Sequence, residues 1–467
     1  MKKEVQTDTV YLNDYVDKLQ KSHTTRYYIG AYGGGMKSNA WTMTVLHELL
    51  QNDADFFKKT VGISGASGGT IGLINMAAIM SANPKEEWSE KIRDISTENI
   101  LSLDLTHILG RDTFNHMFIP GFFRDLKGKD RSSKAMLRYA QLANKDYKCK
   151  QLLSYRNQWN QMYFKFQEKF PILISNTTNV LGNQGMAVSV NLKEQTKEYV
   201  LLYRGADNIL DIEMQDYDEG TPKEQYTLGY YDAASTSNRF PVISPAAKIE
   251  TLGHYNDGGI YENSGLLSVY KLYQAVTHLE NKQEHLKNDS ITNVFINIVN
   301  DKNLYIKHYI EKQCELLVET NKVNTNTEIN AILNAVASTE MMPRFIKEEL
   351  KRLEKEHKPF FQFKTVYLPH RFTVAEVKAV LGLELNNGSG LENTHKLLYD
   401  CMVKNDSTIR SLIDKRCGTE EATIIEPPMS RVLADDAYQF MRDMLKHELT
   451  KESMQQIRNP EILHDKK

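Results

Sequence analysis

The spacing of apolar positions changes several times along this chain, and each change marks an element. Arg26-Tyr27-Tyr28-Ile29-Gly30-Ala31-Tyr32 is rich in aromatic and apolar residues, which predicts a strand. After Gly33-Gly34-Gly35, Trp41, Val45, Leu46, Leu49 and Leu50 recur at helical spacing, so a helix is expected from near Ser38, a good N-cap residue. The unit then repeats. Thr60-Val61-Gly62-Ile63 is a short strand, Gly65-Ala66-Ser67-Gly68-Gly69 a turn, and residues 70–80 an apolar helix. Downstream, Pro171-Ile172-Leu173-Ile174-Ser175 and residues 293–299 read as buried strands, and residues 198–204 and 361–368 as further strands. Beyond Asn300 the pattern is largely helical, over 330–355, 373–381 and 431–449.

The second glycine turn has the residue types of a nucleophile elbow, G-x-S-x-G between strand and helix. A serine used as nucleophile must stand clear of the backbone on a sharp, strained turn, with small neighbours on both sides. The helix that follows points its N–H groups at the oxygen where charge develops. Ser67 is therefore the candidate nucleophile.

The first glycine run invites a nucleotide-binding reading, and its spacing argues against one. Counted from Gly30, a G-x-x-x-x-G-K-[ST] loop needs lysine at position 36, which is Met36; Lys37 comes one place late. A G-x-G-x-x-G from Gly33 would end on Ser38. Bare glycine N–H groups facing a tetrahedral oxyanion fit these residues better. Much later comes Tyr255-Asn256-Asp257-Gly258-Gly259-Ile260, preceded by Ala233-Ala234-Ser235-Thr236-Ser237-Asn238-Arg239-Phe240-Pro241. Taken alone, an acid before two glycines is an ordinary turn.

Taken together and in this order, GGGMKS, GASGG and DGG resemble the patatin-like phospholipases, relatives of the cytosolic phospholipases A. The resemblance runs roughly from Tyr27 to Val299 and takes in the Ala-Ala-Ser…Phe-Pro stretch. It implies an α/β fold of three layers, α/β/α, around a central, mostly parallel sheet. The catalytic core would span 24–305, with a helical lid or insertion at 101–170 and a mainly helical C-terminal layer at 306–467 packed on it. It implies Ser67 as nucleophile and Asp257 as its partner, with Gly33, Gly34, Gly35 and Gly68 as the oxyanion hole. In that family arginine and then glycine commonly follow the glycine run; here Lys37 and Ser38 do. Lys37 is the candidate phosphate contact, as a point charge without arginine's bidentate fork.

A serine alcohol needs a base within hydrogen-bond reach. In the dyad reading, which the resemblance favours, Asp257 takes the proton directly from a partly desolvated site. A Ser-His-Asp arrangement stays open, with His370 after a late strand, or His254 three residues before Asp257, as the base. The leading activity is a serine acyl hydrolase that cleaves fatty-acyl esters of phospholipids or lysophospholipids. Acyl transfer through the same acyl-serine, a peptidase and a binding protein with a decayed site are the rivals.

Composition narrows the partners. The 467 residues carry a net charge of -2, which gives no basic nucleic-acid footprint. Cys149, Cys314, Cys401 and Cys417 are widely spaced, which suits a reducing compartment and gives no metal signature; no cofactor is expected. Met1-Lys2-Lys3-Glu4 lacks the apolar core of a signal peptide, and no run approaches the roughly 20 apolar residues of a membrane span. The expectation is a cytoplasmic protein, with peripheral contact to membranes. Phe114, Met117, Phe118, Ile119, Phe122 and Phe123, followed by Lys127, Lys129, Arg131 and Lys134, read either as a lid that meets lipid or as core. Asp216-Tyr217-Asp218-Glu219 reads as a solvated turn.

Overall fold

The computed structural model describes residues 2–3, 9–19, 25–106, 131–145, 154–211, 226–240, 244–249, 251–282, 291–314, 342–381, 391–413, 424–428 and 430–460. Among them a nine-stranded sheet organises the molecule. Its strands are β1 (Thr25–Ala31), β2 (Thr60–Gly65), β3 (Ile172–Asn179), β4 (Gln184–Val188), β5 (Ala206–Asn208), β6 (Ala247–Ile249), β7 (Gly253–Asp257), β8 (Thr292–Val299) and β9 (Phe361–Tyr367). The spatial order is β9-β8-β1-β2-β3-β4-β5, and β7 pairs with both β3 and β6. Every pairing from β9 to β3 is parallel. Antiparallel pairs join β3 to β4 and β7 to β3 and β6, so the sheet is mixed but mostly parallel.

Helices flank this sheet, which is why β2 and β3 are buried at every position. Stacked rings help tie the strands together: Tyr28 and Phe295 lie 4.9 Å apart, and Phe295 and Phe361 5.0 Å apart, between centroids. Such pairs contribute about 0.5–1.5 kcal/mol each beyond their burial. α1 (Gly35–Asn52) follows β1 and α2 (Gly68–Ala82) follows β2. α2 is apolar all round and is buried, as the run 70–80 predicts. The two helices approach closely at Gly72, where a Cβ would lie 2.7 Å from the Asn39 carbonyl oxygen. A main apolar core is continuous from Val10 to Ile457, and a smaller one gathers Tyr305, Ile306, Tyr309, Phe372 and Leu398.

Several elements differ from the sequence reading. α1 starts at Gly35, before Ser38, because the backbone turns on Gly34 at φ 134°. Ser38 lies inside the first turn, and its hydroxyl donates to the Tyr32 carbonyl instead of capping. Residues 198–204, expected as a strand, instead lie mostly in a helix, Lys197–Leu202; the Thr196 hydroxyl accepts the Tyr199 N–H and caps it. The expected helix at 431–449 is two, Asp435–Met444 and Glu448–Arg458, and a further helix, Leu391–Leu412, lies between the stretches where the pattern predicts helices. Of the helix expected at 330–355, the described part is Arg344–His357. Cys314 and Cys401 are joined in a disulfide within the smaller core, Cα atoms 6.2 Å apart, which departs from the reducing compartment that the wide cysteine spacing suits. Their separation of 87 residues gave no spacing signal. The aromatic cluster at 114–123 and the acidic run at 216–219 lie outside the described residues. Among those described, no helix is long and apolar enough to cross a membrane.

Candidate active site

β3 brings the candidate residues together. Its first half pairs with β2, Gly65 opposite Ser175. Its last residues pair with β7, Thr177 opposite Asp257. The strand that runs into Ser67 and the strand that ends at Asp257 thus meet end to end along one neighbour. A separation of 190 residues becomes one hydrogen bond: Ser67 Oγ donates to Asp257 Oδ2 at 2.8 Å.

Ser67 has φ 47° and ψ -126°, left-handed backbone that a residue with a Cβ rarely adopts. The surroundings hold it there. The Ser67 N–H donates to Ser237 Oγ at 3.0 Å, and that hydroxyl also pairs with Thr70 Oγ1 at 2.9 Å. The glycines on either side are required by space. A Cβ on Gly65 would lie 2.5 Å from the Thr70 nitrogen, and one on Gly69 would collide with the Ala31 carbonyl oxygen.

Asp257 is 3% exposed, and its carboxylate is fixed from both sides. Oδ1 accepts the Gly259 N–H at 2.9 Å, leaving Oδ2 for Ser67. Its own backbone is anchored as well: the N–H donates to the Arg239 carbonyl at 3.1 Å, and the carbonyl accepts Thr178 Oγ1 at 2.8 Å. The Asn238 side-chain oxygen stands 3.5 Å from Ser67 Oγ, too far to compete with Asp257 for the proton.

The two glycine turns touch. A Cβ on Gly68 would collide with the Gly35 carbonyl oxygen, and one on Gly33 would lie 3.0 Å from Ser67 Cβ. Gly35 and Gly68 open α1 and α2, where the leading N–H groups have no partner within the helix. Among the described residues the N–H groups of Gly34, Gly35 and Gly68 donate to no backbone carbonyl. Gly33 differs: its N–H donates to the Asn263 carbonyl at 3.0 Å. Of the four expected glycines, Gly33 thus spends its N–H on the turn itself. Beside them a small cleft is lined in part by Gly35, Gly68, Ile71, Tyr139, Asn238 and Arg431.

No protein-family model and no curated protein matches the chain. Among solved structures it is similar to human GIVD cytosolic phospholipase A2 in complex with methyl gamma-linolenyl fluorophosphonate, at 10% identity and a TM-score of 0.42. That match covers 96% of this chain and 62% of the other, so the chain spans less than two thirds of that protein. It is also similar to VipD from Legionella pneumophila, at 11% identity and a TM-score of 0.29, covering 82% of this chain and 67% of the other.

The histidines weighed as bases lie elsewhere. His370 is 2% exposed; its Nε2 meets the Asn300 carbonyl at 3.3 Å and its Nδ1 faces Glu426 at 3.9 Å. Burial lowers its pKa, more than Glu426 and the Asn300 carbonyl raise it, so the ring is neutral near pH 7. His254 is exposed on β7, and strand alternation puts it on the face opposite Asp257. Lys37 is buried in the first turn of α1, where its charge bears on His370.

Three asparagines and a serine belong to this site although the sequence reading gave them no role. Asn263 accepts from Gly33 and fills the space where a Cβ on Gly33 or Gly259 would go. Asn300 likewise packs on Gly34. Ser237 and Asn238 stand at the end of the helix Tyr230–Ser237. The stretch around Ser237 was visible as company for Asp257, but nothing in its spacing says which side chain turns toward Ser67.

Proposed function

We propose that the protein is a serine ester hydrolase acting on fatty-acyl esters of phospholipids or lysophospholipids through an acyl-Ser67 intermediate. One observation carries this reading: the 2.8 Å hydrogen bond from Ser67 Oγ to Asp257 Oδ2, made by a serine in strained backbone beside two N–H-lined turns. A strained residue persists only where its surroundings over-determine it, and such residues cluster at reactive sites.

The steps follow from the geometry. Asp257 takes the hydroxyl proton as Ser67 Oγ attacks the ester carbonyl. The carbonyl oxygen gains negative charge and is stabilised by the N–H groups of Gly34, Gly35 and Gly68, in place before the reaction begins. The leaving alcohol takes the proton back from Asp257. Water then attacks the acyl-serine, with the same carboxylate as base. The fixed carboxylate supports a dyad: Gly259 holds one oxygen and Ser67 occupies the other. Met36, Ile71 and Tyr139 supply apolar surface to the cleft beside these turns.

Fluorophosphonate labelling tests the reading. The wild type should carry one phosphonyl adduct, mapped to Ser67 by mass spectrometry, and Ser67→Ala should carry none. An adduct elsewhere, or none on folded protein supplied with lipid vesicles, overturns it.

A further inference from the structure

A lysine that the mechanism does not use reaches the nucleophile's turn through two buried amides. Lys271 lies in the helix Leu266–Lys282 and is 6% exposed. Its Nζ donates to Gln184 Oε1 at 2.8 Å. Gln184 Nε2 donates to Asn176 Oδ1 at 3.1 Å and to Ser268 Oγ at 2.9 Å, and Ser268 Oγ donates to Asn176 Oδ1 at 2.6 Å. Asn176 Nδ2 donates in turn to the Gly65 carbonyl and to Ser64 Oγ, each at 2.8 Å. Gln184, Asn176 and Ser268 are all buried, so none of them can turn to bulk water for another partner.

This chain of hydrogen bonds has a direction. An ammonium donates and accepts nothing, so the atom that faces it must be the Gln184 oxygen. The Gln184 NH2 is then left for Asn176 and Ser268, which calls for the Asn176 oxygen on that side and its NH2 toward Gly65. Burial lowers the Lys271 pKa from 10.5 to about 8, with Glu262 opposing the shift and Arg204 adding to it, so the ammonium is charged at pH 7. We propose that Lys271 is a positioning residue for Ser67: by fixing which way the Gln184 and Asn176 amides face, it holds the Gly65 carbonyl, and with it the nucleophile's turn, in register with Asp257. This rests on the ester-hydrolase reading above.

The rate at which a fluorophosphonate labels Ser67 tests this, read beside the melting temperature. Lys271→Met removes the donor at similar length, so the Gln184 amide loses its fixed sense, and labelling should slow about tenfold. Gln184→Glu keeps the shape and the contact with Lys271 but presents only acceptors to Asn176, which draws the Asn176 NH2 away from Gly65. It should slow labelling by a similar factor while the melting temperature stays within a few degrees of wild type. In an Asn176→Ala background, Lys271→Met should slow labelling by less than about twofold more, because the relay is already cut. A lysine with a merely structural role would add its full effect there. Labelling of either single variant at the wild-type rate, slowing that only accompanies a lowered melting temperature, or a Lys271→Met effect that persists undiminished beside Asn176→Ala overturns this inference and leaves the hydrolase reading standing. Folded wild type that does not label at Ser67 overturns both.

Discussion

Gly65 and Asp257 pair with residues two apart on β3, Ser175 and Thr177, and Asn176 between them touches both sides of the site. Asn176 Nδ2 donates to the Gly65 carbonyl and to Ser64 Oγ, each at 2.8 Å. Its backbone carbonyl lies against Gly258, where any Cβ would strike it. One buried residue thus sets the spacing between the turn that carries Ser67 and the turn that carries Asp257.

Asn176→Ala tests that relationship. It strips the buried Gly65 carbonyl and the Gln184 and Ser268 side chains of a partner, which costs about 1–3 kcal/mol of stability. Misplacing a nucleophile by about 1 Å can cost roughly 10²-fold in rate, so fluorophosphonate labelling of Ser67 should slow by that order. Urea unfolding and a labelling time course report the two effects separately. Labelling at the wild-type rate would mean that Asn176 does not set the Ser67–Asp257 spacing.

Asp257→Asn separates shape from basicity. The amide oxygen can still accept the Gly259 N–H, so the turn should hold and the melting temperature should move by only a few degrees. The amide cannot take the serine proton, and kcat should fall about 10²–10⁴-fold. A variant that keeps turnover, together with a His370→Ala protein that loses it, would move the base to His370.

Gly68→Ala asks whether the contact between the two turns matters. The new Cβ would collide with the Gly35 carbonyl, which is backbone and cannot swing aside as a flexible side chain does. Overpacking of this kind costs about 1–3 kcal/mol in stability. Two open N–H groups would shift with it, and loss of one oxyanion donor typically costs about 3–4 kcal/mol of transition-state stabilisation. The expected signature is a loss in kcat of about 10²–10³-fold, larger than any change in KM. A change confined to KM would mean that these N–H groups bind ground-state substrate only.

Much of this was legible in the sequence, and the limit has a physical cause. β1, β2 and β8 are buried on both faces, so their apolar runs stand out with no information from elsewhere in the fold. Ser67 and Asp257 were marked by neighbouring glycines, at positions where a Cβ would strike packed backbone or side chains. Asn263 and Asn300 were not, because what they do depends on packing across the fold: Asn263 fills the space left by two glycines, and Asn300 packs on Gly34. The helix at Lys197–Leu202 departs from the strand its pattern predicts because its apolar residues satisfy either period over so short a stretch, and Thr196 decides the matter by capping the helix. The cysteine pair was illegible for the same reason as the asparagines, since tertiary packing alone brings Cys314 to Cys401.

The last prediction concerns stability against pH. His447 caps the helix Glu448–Arg458: Nδ1 accepts the Leu449 N–H at 3.3 Å, which a protonated nitrogen cannot do. Burial lowers its pKa from 6.5 to about 4, and burial lowers that of His308 to about 4 as well. A lowered folded-state pKa means that between these values the unfolded chain binds the proton and the native protein does not. The stability is therefore whole above about pH 6.5, falls as pH drops toward about 4, and loses nothing further from these groups below that. At about 1.4 kcal/mol per pKa unit, His447 alone accounts for a loss of about 3 kcal/mol. Urea unfolding of wild type across this range should show that decline, and His447→Asn, a capping residue that does not titrate, should flatten it. An identical slope in the variant would assign the decline to other groups.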